Sequence, residues 1–304
     1  MDLVSELKHG KRRAIARAIS IVENNEKEAK TLIKKIFKNS GKSITIGITG
    51  PAGAGKSTLI NKTSLELNKL GYKAAVLAID PTSHITGGAI LGDRVRMTES
   101  TDSGTYIRSM ASRGATGAIS SSLRNSIRIL EFAGFDPIII ESVGAGQTDV
   151  DISKVVDVTV VVFNPNTGDN IQTIKAGLSE IGDIYLINKS DLQGANQLFD
   201  SVRDFIGMSD KNPTIMMTSA KSNKGIVELA KKLKELADAK RKTKKSQEQE
   251  RLDAELRDIV LNNLKKKVSN VLDSSNTYAK YLKKVQTKEL DPFEAAEKIS
   301  KMLK

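Results

Sequence analysis

The eight residues Gly50-Pro51-Ala52-Gly53-Ala54-Gly55-Lys56-Ser57 constrain this chain more than any other segment. They follow an apolar run of strand character, Ile44-Thr45-Ile46-Gly47-Ile48-Thr49, and precede a stretch that reads as a helix from Ser57 onward. A strand, a glycine-rich turn ending in Lys-Ser and a helix together make a phosphate loop. Glycine lets backbone N–H groups turn inward around anionic oxygens, and the helix N-terminus adds its positive dipole at the same point. In this reading Gly50, Ala52, Gly53, Ala54, Gly55, Lys56, Ser57 and Thr58 surround a polyphosphate. Lys56 neutralises the β and γ phosphates, and the Ser57 hydroxyl ligates Mg²⁺.

Short apolar runs ending in Gly, Asp or Pro alternate with helical stretches on both sides of this loop. They are Ile44–Thr49, Ala74–Ile79, Ile138–Glu141, Val158–Phe163, Ile184–Ile187 and Ile215–Met217. Near-continuous apolar strands alternating with helices predict an α/β fold with a mostly parallel sheet, the architecture of P-loop nucleotide-hydrolysing domains. Ligands of such sheets sit at the carboxyl ends of the strands. Apolar residues at helical spacing (Leu3, Val4, Leu7, Ala14, Ile15, Ala18, Ile19, Val22) predict an N-terminal helical extension over 1–42, before the α/β domain at 43–237. A charged, helical arm is expected over 238–304, with Asp291 as N-cap and Pro292 in the first turn of its last helix. It is too small and polar to fold alone, so packing against a partner subunit is expected.

The 304 residues contain no cysteine and two histidines, which excludes disulfides and thiolate metal sites and leaves oxygen ligands for any bound metal. No run approaches the length of a membrane span and no signal-like stretch opens the chain, so a cytoplasmic location is expected. The net charge is +12. From residue 231 on, 20 Lys and Arg stand against 12 Asp and Glu, so +8 of the excess lies on the C-terminal stretch 231–304. With aromatics at 4%, there is little to stack bases, and a solvated helix face is the better reading than a nucleic-acid surface.

Asn188-Lys189-Ser190-Asp191 ends another apolar run and so lies on the same edge of the sheet as the phosphate loop. A carboxylate there accepts from the ring N–H and the exocyclic amine of guanine, a donor pair that adenine lacks. Ser219-Ala220-Lys221, with Gly225, follows the last strand, where a backbone N–H can donate to the guanine carbonyl. GTP and GDP are therefore the expected ligands, with Mg²⁺ alongside. Asp80, Asp93 and Glu141 supply carboxylates near the phosphates, to hold Mg²⁺ directly or through water, and the Gly144 N–H is placed to sense the γ-phosphate. Of these, Asp80 is the candidate for orienting the attacking water, Glu141 suits metal contact through water, and Arg94 or Arg96 can supply transition-state charge. Slow intrinsic turnover accelerated by a partner is expected.

At this point the chain resembles a known family, the MeaB/ArgK (MMAA-like) GTPases that accompany adenosylcobalamin-dependent methylmalonyl-CoA mutase. The likeness covers nearly the whole chain. It includes Gly10-Lys11-Arg12-Arg13-Ala14-Ile15-Ala16-Arg17-Ala18-Ile19, the phosphate loop, Ala78-Ile79-Asp80-Pro81-Thr82-Ser83 and Gly87-Gly88-Ala89-Ile90-Leu91-Gly92-Asp93-Arg94. Ser112-Arg113-Gly114, Glu141-Ser142-Val143-Gly144-Ala145-Gly146-Gln147 and Leu290-Asp291-Pro292-Phe293-Glu294-Ala295-Ala296 continue it. The resemblance implies phosphate, metal and catalytic roles for Lys56, Ser57, Asp80, Asp93 and Glu141, and guanine recognition by Asn188, Lys189 and Asp191. It further implies that the loop containing Asp169, Gln172 and Lys175 couples nucleotide state to the mutase, and that a homodimer forms through the C-terminal arm. The function it implies is GTP-gated cofactor loading, with protection and rescue of the mutase. Alternatives left by the residues alone are a metallocentre-assembly GTPase, an RNA-associated GTPase and a phosphate-loop kinase. The first is disfavoured by the lack of Cys and the scarcity of His needed to carry nickel.

Overall fold

A strand carrying a phosphate loop has to sit inside its sheet, and β1 (Thr45–Thr49) is buried along its full length between two parallel neighbours. The computed structural model describes residues 2–80, 104–111, 121–142, 152–166, 180–207, 213–274 and 276–302; for 80, 111, 245–247, 274 and 302 it describes the backbone alone. Among these residues, β1 is joined by β2 (Ala75–Asp80), β3 (Tyr106–Ala111), β4 (Ile138–Glu141), β5 (Val158–Phe163), β6 (Ile184–Ile187) and β7 (Thr214–Met217). Their order is β3-β2-β4-β1-β5-β6-β7, and every neighbouring pair is parallel. The expected parallel α/β sheet is thus present, with one strand more than the apolar runs predict: β3, at the sheet edge, where Arg108 and Ser109 interrupt the apolar pattern.

The α-helices among the described residues are α1 (Leu3–Lys8), α2 (Arg12–Asn24), α3 (Glu26–Ile36), α4 (Lys56–Lys69), α5 (Ser121–Phe132), α6 (Ala195–Ile206), α7 (Ile226–Ser274), α8 (Asn276–Gln286) and α9 (Pro292–Met302). Successive strand residues face opposite sides, and the two faces are covered by different helices. Ile44, Ile46 and Ile48 of the β1 segment, Ile139, Val158, Val160, Ile184 and Leu186 pack on Leu59 and Ile60 of α4 and on Ile226, Leu229 and Leu233 of α7. On the other face, Ala75, Leu77, Ile138 and Ile140 meet Ile15, Ala18 and Ile19 of α2, Leu32 and Ile36 of α3 and Ile127 and Leu130 of α5. Val161, Phe163, Tyr185 and Ile187 are covered by Ala195, Val202 and Ile206 of α6. The N-terminal helices are therefore a layer of the core. Arg108 of β3 ties them to the edge strand through Glu23 at 2.8 Å and Ser20 at 3.1 Å.

At the amino ends of the strands, buried backbone N–H groups need acceptors, and aspartates supply them. Asp136 accepts from Ile44 N at 3.0 Å, Asp157 from Thr45 N at 2.8 Å and Asp183 from Thr159 N at 2.8 Å. Two residues of the basic run on α7 end on these same carboxylates: Arg241 with Asp136 at 2.6 Å and Lys240 with Asp183 at 3.4 Å. These two side chains serve tertiary ion pairs, where the sequence alone reads a solvated face.

The chain divides into two compact units, Met1–Thr243 and Lys244–Lys304, and α7 runs through the division as well as through residues 237 and 238. In the second unit α9 is capped as its sequence predicts, with Asp291 Oδ1 accepting from Phe293 N at 2.8 Å and Glu294 N at 3.1 Å. No helix among the described residues is long and apolar enough to cross a membrane.

Candidate nucleotide-binding site

The loop between β1 and α4 lies at the carboxyl edge of the sheet, beside the ends of β4 and β5. Gly50 takes φ 138° where the chain leaves β1, and a Cβ there would stand 2.0 Å from the Val162 carbonyl oxygen of β5. Only glycine allows the loop to pass this close to the neighbouring strand. Gly55, at the N-cap of α4, takes φ 88°, and its hypothetical Cβ would meet Asn188 Nδ2 at 2.5 Å. Lys56 is buried, and its ammonium donates to the carbonyl oxygens of Gly50 at 2.7 Å and Pro51 at 3.1 Å. The cation therefore lies over the mouth of the loop, where phosphate charge is expected. Ala52, Gly53 and Thr58 are exposed, whereas Ala54 is buried against the base-reading segment.

Ser57, in the first turn of α4, donates its hydroxyl to Glu141 Oε1 at 2.7 Å. Glu141 closes β4 in register with Ile48, so its side chain emerges on the α4 side of the sheet, beside the phosphate loop. Two residues 84 positions apart thus bring hard oxygen donors to one point. Such donors fit Mg²⁺, which takes carboxylate, hydroxyl and water oxygens. Asp80 ends β2, two strands from β1, at the same edge; only its backbone is described. Asp93, Arg94, Arg96 and Gly144 lie outside the described residues, as do Asp169, Gln172 and Lys175.

The segment expected to read the base follows β6 and is built around Asn188, which is 1% exposed. Its side chain works in both directions: Nδ2 donates to Ala54 O at 2.9 Å, while Oδ1 accepts from Ala220 N at 3.2 Å and Thr218 Oγ1 at 3.3 Å. One amide therefore binds the phosphate loop to the segment after β7. Lys189, at φ 57°, reaches over the loop to donate to Gly53 O at 2.8 Å. The Ser219–Lys224 turn is closed by reciprocal backbone hydrogen bonds of 2.9 and 3.1 Å, which holds Ser219, Ala220 and Lys221 beside Asp191. A hydrogen bond from the Ser219 side chain is the main cause holding the Asp191 carboxyl below its usual value. Its own backbone N–H assists, desolvation opposes, and the Lys221 and Lys189 charges add to the lowering. The exposed carboxylate is thus an ionised, acceptor-only group.

The acceptors in this clamp, the Gly53 and Ala54 carbonyls, and the Thr218 hydroxyl were not legible as site groups in sequence. A carbonyl carries no residue signature, and Thr218 precedes the Ser-Ala-Lys motif by one position.

Known proteins bear on the same residues. Residues 15–273 match the family described as methylmalonyl Co-A mutase-associated GTPase MeaB. A Pyrococcus abyssi protein named as a GTPase is 42% identical over 310 residues, covering 99% of this chain and 95% of that one. GTPase ArgK of Escherichia coli is 32% identical over 241 residues, covering 75% of this chain and 73% of that protein. Among solved structures, one described as an LAO/AO transport system kinase superposes with a TM-score of 0.68 at 23% identity, over 99% of this chain and 96% of that one, a likeness of fold. The family match begins in α2 and ends in α7, far beyond the loop and base-reading segment that GTPases in general share, and the chain accordingly belongs to the methylmalonyl-CoA mutase-associated GTPases of the MeaB family.

Proposed function

We propose that this GTPase couples conversion of GTP and water to GDP and phosphate to the loading of adenosylcobalamin onto a methylmalonyl-CoA mutase, which it also protects and reactivates. The observation that carries the hydrolytic part is the meeting of Ser57 and Glu141 at 2.7 Å beside a loop whose lysine is already buried over its mouth. The mutase as partner comes from the family to which the chain belongs.

Each residue has a part in this reading. Lys56 binds the β and γ phosphates, and the loop amides position them. Ser57, Asp93 and Glu141 would hold Mg²⁺, Glu141 through water. Mg²⁺ supplies charge neutralisation of the phosphates when bound. Asp80 orients the attacking water and the Gly144 N–H reads the γ-phosphate. Asn188, Lys189 and Asp191, with Ser219, Ala220 and Lys221, select guanine. The segment containing Asp169, Gln172 and Lys175 reports nucleotide state to the mutase, and turnover is slow until the partner binds. The second unit joins two copies: Leu252, Leu256, Ile259, Val260 and Leu264 stand exposed at helical spacing along α7, an apolar stripe suited to a facing helix.

Hydrolysis measured alone and with the host's mutase, at matched Mg²⁺ and salt, tests the partner. Stimulation of about tenfold or more is expected; unchanged turnover at saturating mutase would overturn the mutase reading while leaving the GTPase in place. Base selection has its own test. Asp191→Asn turns one acceptor into a donor facing the guanine donors, and the preference for GTP over other purine nucleotides should fall by about 100-fold. Because the Asp191 carboxyl is held below its usual value, it stays ionised in mildly acid solution, and wild-type guanine preference should be flat between about pH 5 and 8. Undiminished selectivity in the variant would remove Asp191 from base recognition.

A further inference from the structure

β1 and β4 run side by side and then part, β1 into the phosphate loop and β4 toward Gly144. The last backbone rung between them among the described residues is Ser142 N to Ile48 O at 3.0 Å. One more rung follows, made of side chains: Ser142 Oγ donates to Thr49 Oγ1 at 2.9 Å. Both residues are sealed from solvent, Thr49 at 0% and Ser142 at 1% exposure. Strand alternation places this pair on the face opposite Glu141, since Ile138 and Ile140 of β4 pack toward α2 and α5 while Glu141 reaches Ser57 on α4. The hydroxyl pair therefore sits behind the cation-binding oxygens, at the fork where the two strands that carry them separate.

A buried hydroxyl pair is costly to break, because the remaining partner is left in a low-dielectric setting without its hydrogen bond. Thr49 is the residue before Gly50, whose φ of 138° launches the loop, and Ser142 is the residue after Glu141. Their hydrogen bond joins the start of the loop to the end of β4. Without it, the ladder between β1 and β4 ends one rung earlier, at Ser142 N to Ile48 O, just where the chain must hold Ser57 Oγ 2.7 Å from Glu141 Oε1.

We propose that the Thr49–Ser142 hydroxyl pair is a positioning device for the cation site of this GTPase, holding Ser57 and Glu141 in the relative placement that one Mg²⁺ requires. The proposal rests on the reading of Ser57 and Glu141 as Mg²⁺ ligands. Ser142 and Thr49 are positioning residues that act through Glu141 and the loop.

Two readouts test it on the full chain: the Mg²⁺ concentration giving half-maximal GTP hydrolysis, and the affinity for a fluorescent GDP analogue with Mg²⁺ or with chelator. In Ser142→Ala and in Thr49→Val, the Mg²⁺ midpoint should rise about five- to tenfold. The strengthening of GDP-analogue binding by Mg²⁺ should shrink, while affinity in chelator stays within twofold. Ser142→Thr, which retains the hydroxyl, should restore the wild-type midpoint, and the double variant should be no worse than either single one. A general loss of packing would instead lower affinity in chelator and add between the two sites, and that result would overturn the proposal. So would a wild-type midpoint in soluble, folded Thr49→Val or Ser142→Ala. Glu141→Gln separates the two levels of argument. If it and the wild type show the same Mg²⁺ midpoint, the cation reading and the proposal fall together. If Glu141→Gln shifts the midpoint and the hydroxyl variants do not, the proposal alone falls.

Discussion

Lys56→Ala is expected to lower GTP hydrolysis by about 10³-fold or more, with folding retained. The lysine is buried and its ammonium bridges the Gly50 and Pro51 carbonyls at the mouth of the loop, so its charge is held where phosphate charge develops and needs little reorganisation to act. Alanine removes that charge. Truncation also removes two donors to loop carbonyls, which water can replace at this partly open edge, so the loss should appear in turnover more than in thermal stability. Single-turnover hydrolysis alongside a melting curve separates the two. Full turnover in a folded variant would take the phosphate loop out of the mechanism.

Gly50→Ala should be the most damaging single-methyl change at the site, costing about 4 kcal/mol of folding stability. Two penalties combine. A φ of 138° is strained for any L side chain, and the added methyl would meet the Val162 backbone carbonyl at 2.0 Å. Relief requires moving β5 against β1, within the parallel core that Val160 and Val162 share with Ile46 and Ile48. Denaturant unfolding would show the loss directly. A variant as stable as wild type would mean that the loop leaves β1 by another path. Gly53, with nothing near its hypothetical Cβ, is the internal comparison at φ 76° and carries the strain without the collision.

Much of the site was legible because its signatures are local. Gly50 to Ser57 after an apolar strand identifies a phosphate loop, since turn, charge and helix start are all specified by adjacent residues, and the same holds for Asn188 to Asp191 after Ile184–Ile187. β3 was missed for a physical reason: Arg108 sits at an edge position and spends its charge on Glu23 of α2, so the apolar run that marks interior strands is broken there. Lys240 and Arg241 looked like part of a solvated run because their partners, Asp183 and Asp136, lie 57 and 105 positions away.

The amino-acid sequence by itself determined that the chain binds a phosphate group at a strand-to-helix turn, that it reads guanine, and that its core is a parallel sheet covered by helices. Those properties follow from neighbouring residues, through glycine torsions, apolar periodicity and side-chain chemistry. The tertiary structure alone decided that β4 enters between β2 and β1, because the order of parallel strands is set by how crossovers pack and leaves no local mark. That insertion brings Glu141 to Ser57 and Ser142 to Thr49. Packing of β6 beside β5 likewise sets Asn188 against Ala54, 134 residues away, and so joins the phosphate loop to the segment proposed to read the base.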